Sequence, residues 1–277
     1  MTTANDFSAE EIEAGRRLFA GDWGFLSAAG SLASLPRMTG PEIAQNPVDI
    51  RWIGNEGGMA TAGTSNVQTL QNQLIWYPAE CDVSIRGQWF WHPNDTTKSL
   101  TELTNIFFSC VGHNATLLLN VPPNQQGQLD ATDTARLGQF GAQVHNYFTT
   151  NLVTDQNVTA DSTFQATDYG AAKAADGNLD TYWAAGTGKT TGRLEVDLGA
   201  SKQIKILDIA EAIVLGEHVS KYHVEIQAAG ATNWTTIANG TVIGARNLFQ
   251  GTWTAQKVAL VIEQAKGVPA IAEFGVY

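Results

Sequence analysis

The spacing of apolar side chains differs before and after about residue 155 of this 277-residue chain. In the first part, apolar residues recur at the spacing of a helix face, which predicts helices over residues 99–111 and 132–149. Residues 116–121 form a short apolar run that ends at a proline, which is typical of a buried parallel strand, and residues 80–86 alternate like a second strand. Strands that alternate with helices predict a parallel sheet or a barrel.

The start of the chain is less regular. Ser8 and Glu11 have the spacing of a capping box, which predicts a helix over residues 7–20. A Gly/Ser/Ala/Pro-rich stretch then predicts a loop up to Pro47. The alternating residues Val48, Ile50 and Trp52 predict a strand, and the polar residues 57–72 after it predict a long loop.

The pattern changes at a polar linker near residues 151–163. The apolar runs beyond it are short, often alternate, and are separated by Gly/Asn/Asp turns, which predicts a β-sandwich or jelly roll. The predicted fold class is therefore multidomain, α/β followed by all-β. We divide the chain into an unassigned segment 1–37, a partial barrel 38–152 and a β-sandwich 160–277.

Composition excludes several classes of partner. The net charge of −11 and the pI near 4.8 argue against nucleic acid and anionic membranes, and no apolar run reaches the about 18–20 residues that span a bilayer. Residues 1–13 are polar and acidic, without the pattern of a signal peptide, and the compartment stays undetermined. Cys81 and Cys110 lack the spacing of a zinc site and are expected to be buried thiols.

Candidate chemistry lies in two loops. The eight tryptophans raise carbohydrate as a ligand, because tryptophan faces pack on sugar rings. Glu56 follows a predicted strand in a Gly-rich loop, where it is either a carboxylate at the mouth of a barrel or a solvated charge on a surface turn. Three aromatic residues in succession, Trp89 to Trp91, cannot all face one core, so we expect Trp89 to face a cleft or ligand.

Several separate strings carry a family resemblance. In the first part they are DIRWIGNEGG (49–58), PAECDVSIR (78–86), WFWH (89–92), LLLNVPP (117–123) and DTARLGQFG (133–141). In the second part they are ADGNLDTYW (175–183), LEVDLG (194–199) and PAIAEFGVY (269–277). The first set resembles the C-terminal part of the catalytic barrel of α-L-fucosidases, glycoside hydrolase family 29. The second set resembles the discoidin-like sandwich that such enzymes carry, a candidate carbohydrate-binding module.

The resemblance implies a retaining glycosidase that removes terminal α-linked L-fucose from glycans. Glu56 matches the acid/base of the relatives that cleave α1-3/4 linkages. Arg51 and Trp52 flank it, with Arg51 expected to brace the loop, and Trp89 matches an aromatic that packs near the sugar. No catalytic cofactor is implied, and the implied partners are fucosylated glycans and oligosaccharides.

This sequence departs from the family at the nucleophile. The expected Asp in a WFDG-like string is absent, and so are the early barrel strands. About 150 residues precede the sandwich, whereas a closed barrel needs roughly 200–250, so an oligomer is expected to cover the open barrel edge. The alternative function is a non-catalytic carbohydrate-binding or inactive fragment of such an enzyme.

A structural calcium site is implied in the sandwich. The loop that contains Asp176, Asp180 and Thr181 resembles the calcium loop of related modules, with Glu273 as a distant ligand. The residues alone also allow an Asx-rich turn that holds no ion. Trp183, directly after this loop, is expected to be a core residue.

Overall fold

The protein is described here by a computed structural model covering residues 51–53, 57–70, 72–153 and 157–277. The side chains of Trp52, Leu70 and Gln73 are outside that description. The helix expected over residues 7–20, the strand positions Val48 and Ile50, and Glu56 lie outside the described residues.

The first part of the described chain contains five strands and two helices. In chain order they are β1 (Arg51–Trp52), β2 (Val67–Leu70), β3 (Gln73–Trp76), β4 (Ala79–Ser84), α1 (Leu100–Cys110), β5 (Thr116–Asn120) and α2 (Ala131–Tyr147). Strands β1, β4 and β5 form a parallel sheet with β4 in the middle. The predicted strand–helix–strand–helix order is confirmed.

Helix α1 begins where the sequence predicts. The Ser99 hydroxyl accepts from Glu102 N at 3.1 Å, and the Glu102 carboxylate accepts from Ser99 N at 2.7 Å, which completes a capping box. Its apolar face packs against the outward side chains of β4, in a core that includes both cysteines. Cys81 and Cys110 are free, buried thiols, as expected.

Two predictions in this part are wrong. Residues 57–72 are not loop throughout, because β2 and β3 pair in a short antiparallel hairpin. Strand β5 is not buried on both faces: Leu118, in its middle, is 47% exposed. In a closed barrel the inner faces of eight strands fill the interior, whereas here the corresponding face is buried at Glu80 and Ser84 of β4 but exposed at Leu118 of β5.

The second part is all-β apart from short helical turns. Its elements are β6 (Val158–Ala160), α3 (Ala166–Tyr169), β7 (Trp183–Ala184), β8 (Gly192–Glu211), β9 (Val219–Gln227), β10 (Thr235–Gly240), β11 (Asn247–Ala265) and β12 (Ala270–Val276). The 20-residue β8 and the 19-residue β11 pair antiparallel along most of their lengths and link these strands into one seven-stranded sheet.

This part confirms the predicted β-sandwich, with its own core. Trp183 is fully buried, as expected, and donates from Nε1 to Ser162 O at 3.0 Å. Alternating residues of β8 point into the same core, among them Leu194 and Val196. The expected strand at Val242 and Ile243 is wrong, because these residues lie in an irregular segment between β10 and β11.

Apolar contacts join the sandwich to the barrel part. The Tyr277 ring packs edge-to-face on Phe148 with centroids 5.2 Å apart, and the Arg246 guanidinium lies 4.6 Å from the Phe148 centroid. Ile206 and Leu248 of the sandwich belong to the core that contains helix α1. The two parts therefore share buried apolar surface.

Glu217 forms the polar half of this joint. It lies in the turn between β8 and β9, and its carboxylate accepts hydrogen bonds from Ser65 Oγ, Asn66 N, Val67 N and Asn114 Nδ2. The Asn66 N and Asn114 Nδ2 contacts are 2.9 and 2.7 Å long. One sandwich side chain thus satisfies four donors of the barrel part.

Asn114 completes the joint from the barrel side. Its Oδ1 accepts from Ala245 N at 2.7 Å, and its amide also donates to Thr64 O at 2.9 Å. Gly244 lies against this amide so closely that an added Cβ would be 2.0 Å from Nδ2, and its φ is +68°. A glycine is therefore required there by both space and backbone conformation.

The joint predicts a large effect of removing one carboxylate. Glu217→Ala removes the shared acceptor of four donors, of which Asn66 N and Asn114 Nδ2 are buried, so we expect the free energy of unfolding to fall by about 3 kcal/mol. Urea unfolding followed by tryptophan fluorescence measures the loss. The control Glu263→Ala removes partly exposed contacts with Lys221 and His223 and should cost much less. Equal losses would show that the Glu217 contacts contribute no special stability.

Candidate functional site

Parallel pairing brings the ends of β1, β4 and β5 to one edge of the sheet. Three segments leave this edge: the one that contains Glu56, the loop 85–98, and the loop that leads to α2. Active sites of β/α barrels lie at this edge because loops from neighbouring strands converge there. We therefore take this edge as the candidate site.

The loop 85–98 begins at a buried guanidinium. The side chain of Arg86 is 3% exposed, and its Nε donates to Asp133 Oδ2 at 2.8 Å, a carboxylate that is fully buried. Arg86 Nη1 donates to Asp95 O at 2.9 Å, farther along the same loop. A charge-assisted pair thus fixes both the start and the middle of the loop.

Helix α2 holds the loop at a second point. The Asp130 carboxylate caps the helix by accepting from Thr132 N at 3.1 Å, and it also accepts from Trp91 Nε1 at 3.1 Å. Hydrogen bonds from Thr132, with smaller contributions from Trp91 and Arg86, lower the pKa of Asp130. Asp130 is thus held as a carboxylate that joins the helix start to Trp91.

Backbone contacts fix the remaining turns. Ser84 Oγ donates to Gln88 O at 2.8 Å, and Asn120 Nδ2 donates to Trp89 O at 2.8 Å. Lys98 Nζ donates to the carbonyl oxygens of Ser84 and Arg86 at 2.8 and 2.6 Å. The loop is therefore braced by β4, β5 and its own far end.

The predicted site residues have different surroundings. Trp89 is 41% exposed, and its contact with a cleft or ligand stays a prediction, whereas Trp91 is held by Asp130. Arg51 donates from Nη2 to Ser65 O at 2.7 Å, so it braces the neighbouring loop. Glu56 and the Trp52 side chain lie outside the described residues, and their roles stay predictions.

The inner face of the sheet carries further polar groups. Glu80, Asp82 and Ser84 alternate on β4 and pair in register with Thr116, Leu118 and Asn120 of β5. Asp82 Oδ1 is buried without a hydrogen-bond partner, and burial raises the pKa of Asp82. Glu80 and Asp82 both lie in the string 78–86, and sequence reasoning assigned a chemical role to neither.

Sequence reasoning missed the residues that position the loop, Asp130, Asp133 and Asn120. Acidic residues at the start of a helix are common because they complement its dipole, so Asp130 and Asp133 gave no distinctive signal. Their loop partners lie 39 and 47 residues away in sequence. Only the fold shows these pairings.

The second candidate site is the loop at Asp176 in the sandwich. Asp176 accepts from Thr181 Oγ1 at 2.7 and 2.8 Å, and Asn178 Oδ1 accepts from Asp180 N at 3.0 Å. Glu273 Oε2 is buried without a hydrogen-bond partner. Burial first, then the nearby charges of Asp208 and Asp176, raise the pKa of Glu273 to about 7.

In the described ranges no three His, Cys, Asp or Glu side chains are placed together to bind a metal ion, so Asp176, Asp180 and Glu273 do not form a preformed cluster of metal ligands. Within the same ranges, no helix is both long and apolar enough to cross a bilayer.

The fold defines a class of protein in which part of a β/α barrel precedes a discoidin-like sandwich. Residues 34–148 match the family model of the α-L-fucosidases, and residues 157–274 match that of the F5/8 type C domain. The chain is therefore a relative of the α-L-fucosidases of glycoside hydrolase family 29, with an F5/8 type C domain after its barrel part. The resemblance drawn from the sequence strings is confirmed.

Individual relatives agree with this assignment. Alpha-L-fucosidase 1 of Arabidopsis thaliana is 30% identical over 250 residues, which are 83% of this chain and 49% of that protein. A family 29 fucosidase of Ruminococcus gnavus, solved in complex with fucose, superposes with a TM-score of 0.77 at 34% identity and covers 82% of this chain and 50% of its own. The chain thus spans about half the length of these relatives.

A short stretch of the chain has relatives of another kind. Over 40 residues, 14% of this chain, it is 62% identical to the probable GTP-binding protein EngB of Afipia carboxidovorans. A match of this length shows no family membership.

The bracing of the loop 85–98 predicts that Arg86 is not replaceable by lysine. Arg86→Lys keeps the charge, but a lysine lacks the planar guanidinium that donates to Asp133 and to Asp95 O at the same time. We therefore expect a loss of about 2 kcal/mol in unfolding free energy. The matched control is Arg193→Lys, at a more exposed pair with Glu225, where the loss should stay below about 1 kcal/mol. Urea unfolding measures both, and indistinguishable losses would contradict the bracing role.

Proposed function

We propose that this chain carries half of an α-L-fucosidase site and acts on terminal α-linked L-fucose of glycans. The observation that carries the proposal is the braced aromatic loop at the carboxyl edge of the parallel sheet, in a segment that matches the α-L-fucosidase family model. Trp89 supplies an exposed ring at this edge.

Glu56 is the proposed proton donor. In a retaining glycosidase one carboxyl group protonates the leaving oxygen and then acts as base, while a second carboxylate about 5–5.5 Å away attacks the anomeric carbon. Glu56 follows β1 by four residues in sequence, and β1 runs parallel to β4, the strand that precedes Trp89. Arg51 fixes the loop that begins after Glu56 through its bond to Ser65 O.

One feature of the sequence favours a second candidate function. No WFDG-like string supplies the nucleophile, and without one no covalent intermediate can form. The alternative is a chain that binds fucosylated carbohydrate without turnover.

Release of p-nitrophenol from p-nitrophenyl α-L-fucoside separates the two functions. If Glu56 is the proton donor, Glu56→Gln should reduce turnover of a natural disaccharide by about 100-fold or more. Turnover of the aryl fucoside should fall by less, because nitrophenolate leaves without protonation. The control Glu102→Gln alters only the cap of helix α1. Fucose binding by calorimetry without turnover would select the non-catalytic function, and neither binding nor turnover would overturn both.

The proposal includes a structural calcium ion in the sandwich. The candidate ligands are Asp176, Asp180, Thr181 and Glu273. Support comes from the buried, unpartnered Oε2 of Glu273 and from its electrostatic coupling to Asp176, since a hard cation would satisfy both carboxylates. When bound, the ion would compensate the negative charges of the carboxylates and would take no part in the reaction.

Calcium binding is tested by thermal unfolding with and without the metal. At a concentration 100 times its dissociation constant, calcium should add about 2.7 kcal/mol and raise Tm by at least about 5 °C. Glu273→Gln should remove this shift, while Glu263→Gln, at a surface pair, should keep it. Magnesium serves as the comparison cation. An unchanged Tm for the unsubstituted chain in calcium would mean that the loop is an ion-free Asx turn.

A further inference from the structure

Phe90 is the most exposed large apolar side chain of the described residues. It is 74% exposed, compared with 41% for its neighbour Trp89. Exposing an aromatic ring to water is unfavourable, although single exposed apolar residues are common on protein surfaces. Phe90 differs because both of its sequence neighbours are hydrogen-bonded to other elements, Trp89 through its carbonyl and Trp91 through its indole.

The fixation comes from its two neighbours. The carbonyl of Trp89 accepts from Asn120 at the end of β5, and the indole of Trp91 donates to Asp130 at the start of α2. The Phe90 ring therefore projects from a segment whose ends are tied to two different elements. A ring held in this way loses little conformational freedom when it binds a ligand.

Two polar residues lie two positions from Phe90 in sequence, one on each side. Gln88 and His92 are exposed, and within the described chain their side chains make no hydrogen bond. A flat ring flanked by an amide and an imidazole matches a pyranose, which offers a C–H-rich face and a rim of hydroxyl groups. The core of a protein interface is instead a contiguous apolar patch.

We infer that Phe90 is a specificity-determining residue that stacks on the sugar to which the fucose is attached, with Gln88 and His92 bonding its hydroxyls. This inference rests on the proposed function, because it places the leaving sugar beside a fucose bound at the same sheet edge. Phe90 reaches farther into solvent than Trp89, which suits the more distant sugar of a disaccharide.

Calorimetry with two ligands tests the inference on the full chain. The ligands are free L-fucose and an α1-4-fucosylated N-acetylglucosamine disaccharide. We expect the disaccharide to bind more tightly than fucose, and Phe90→Ala to weaken disaccharide binding about tenfold while leaving fucose affinity unchanged. Phe90→Tyr should restore most of the loss, because it keeps the ring. Val214→Ala, at an exposed apolar residue outside both candidate sites, should change neither affinity.

Each result decides a separate question. If Phe90→Ala binds fucose and its disaccharide affinity is unchanged, the role of Phe90 is overturned and the proposed function stands. Equal weakening of both ligands assigns Phe90 to the fucose itself and also overturns the inference. If Phe90→Ala loses self-association in sedimentation but keeps its saccharide affinities, Phe90 contacts a second copy of the chain instead, and the inference is overturned. Failure of the unsubstituted chain to bind either ligand overturns both proposals.

Discussion

The joint between the barrel part and the sandwich depends on one requirement, that buried polar groups find partners. Glu217 meets that requirement for four donors at once, and Glu211, a few residues earlier, does so for the backbone N–H groups of His218, Val219 and Gly244. Two carboxylates this close repel each other if both are ionised. Burial, with the charge of Glu217 adding to it, raises the pKa of Glu211 to about 8, while the three N–H groups that it accepts act in the opposite direction.

This joint has a consequence for the candidate site. Asn66 binds Glu217 through its backbone and accepts from Ala79 N, the first residue of β4, through its side chain. The sandwich is thus connected to the start of the strand whose far end carries the aromatic loop. A short sheet with a partly exposed inner face has few contacts of its own, as Leu118 shows. The sandwich supplies packing that this sheet lacks.

Local structure could be predicted from the sequence where neighbouring residues determine it. Helix α1 has a periodic apolar face and a capping box, and both lie within one short segment. The hairpin of β2 and β3 was missed because β2 lies at the end of a stretch rich in Gly, Thr, Ser and Asn, and such stretches predict loops. The apolar neighbours of Leu118 in sequence predict a buried strand, whereas the exposure of Leu118 depends on what covers the inner face of the parallel sheet. The sequence gives no signal for the role of Glu217, since its partners lie 103 to 152 residues away.

The same distinction applies to the candidate site. The strings around Glu56 and Trp89 indicated the family, but they gave no indication of how the aromatic loop is held. A buried ion pair such as Arg86 with Asp133 contributes little net stability, because desolvation of the two charges offsets their attraction. Its value lies in geometry, since a guanidinium bonded to Asp133 and to Asp95 O permits few arrangements of the loop between them. These contacts hold the loop in a defined arrangement around Phe90, its most exposed ring.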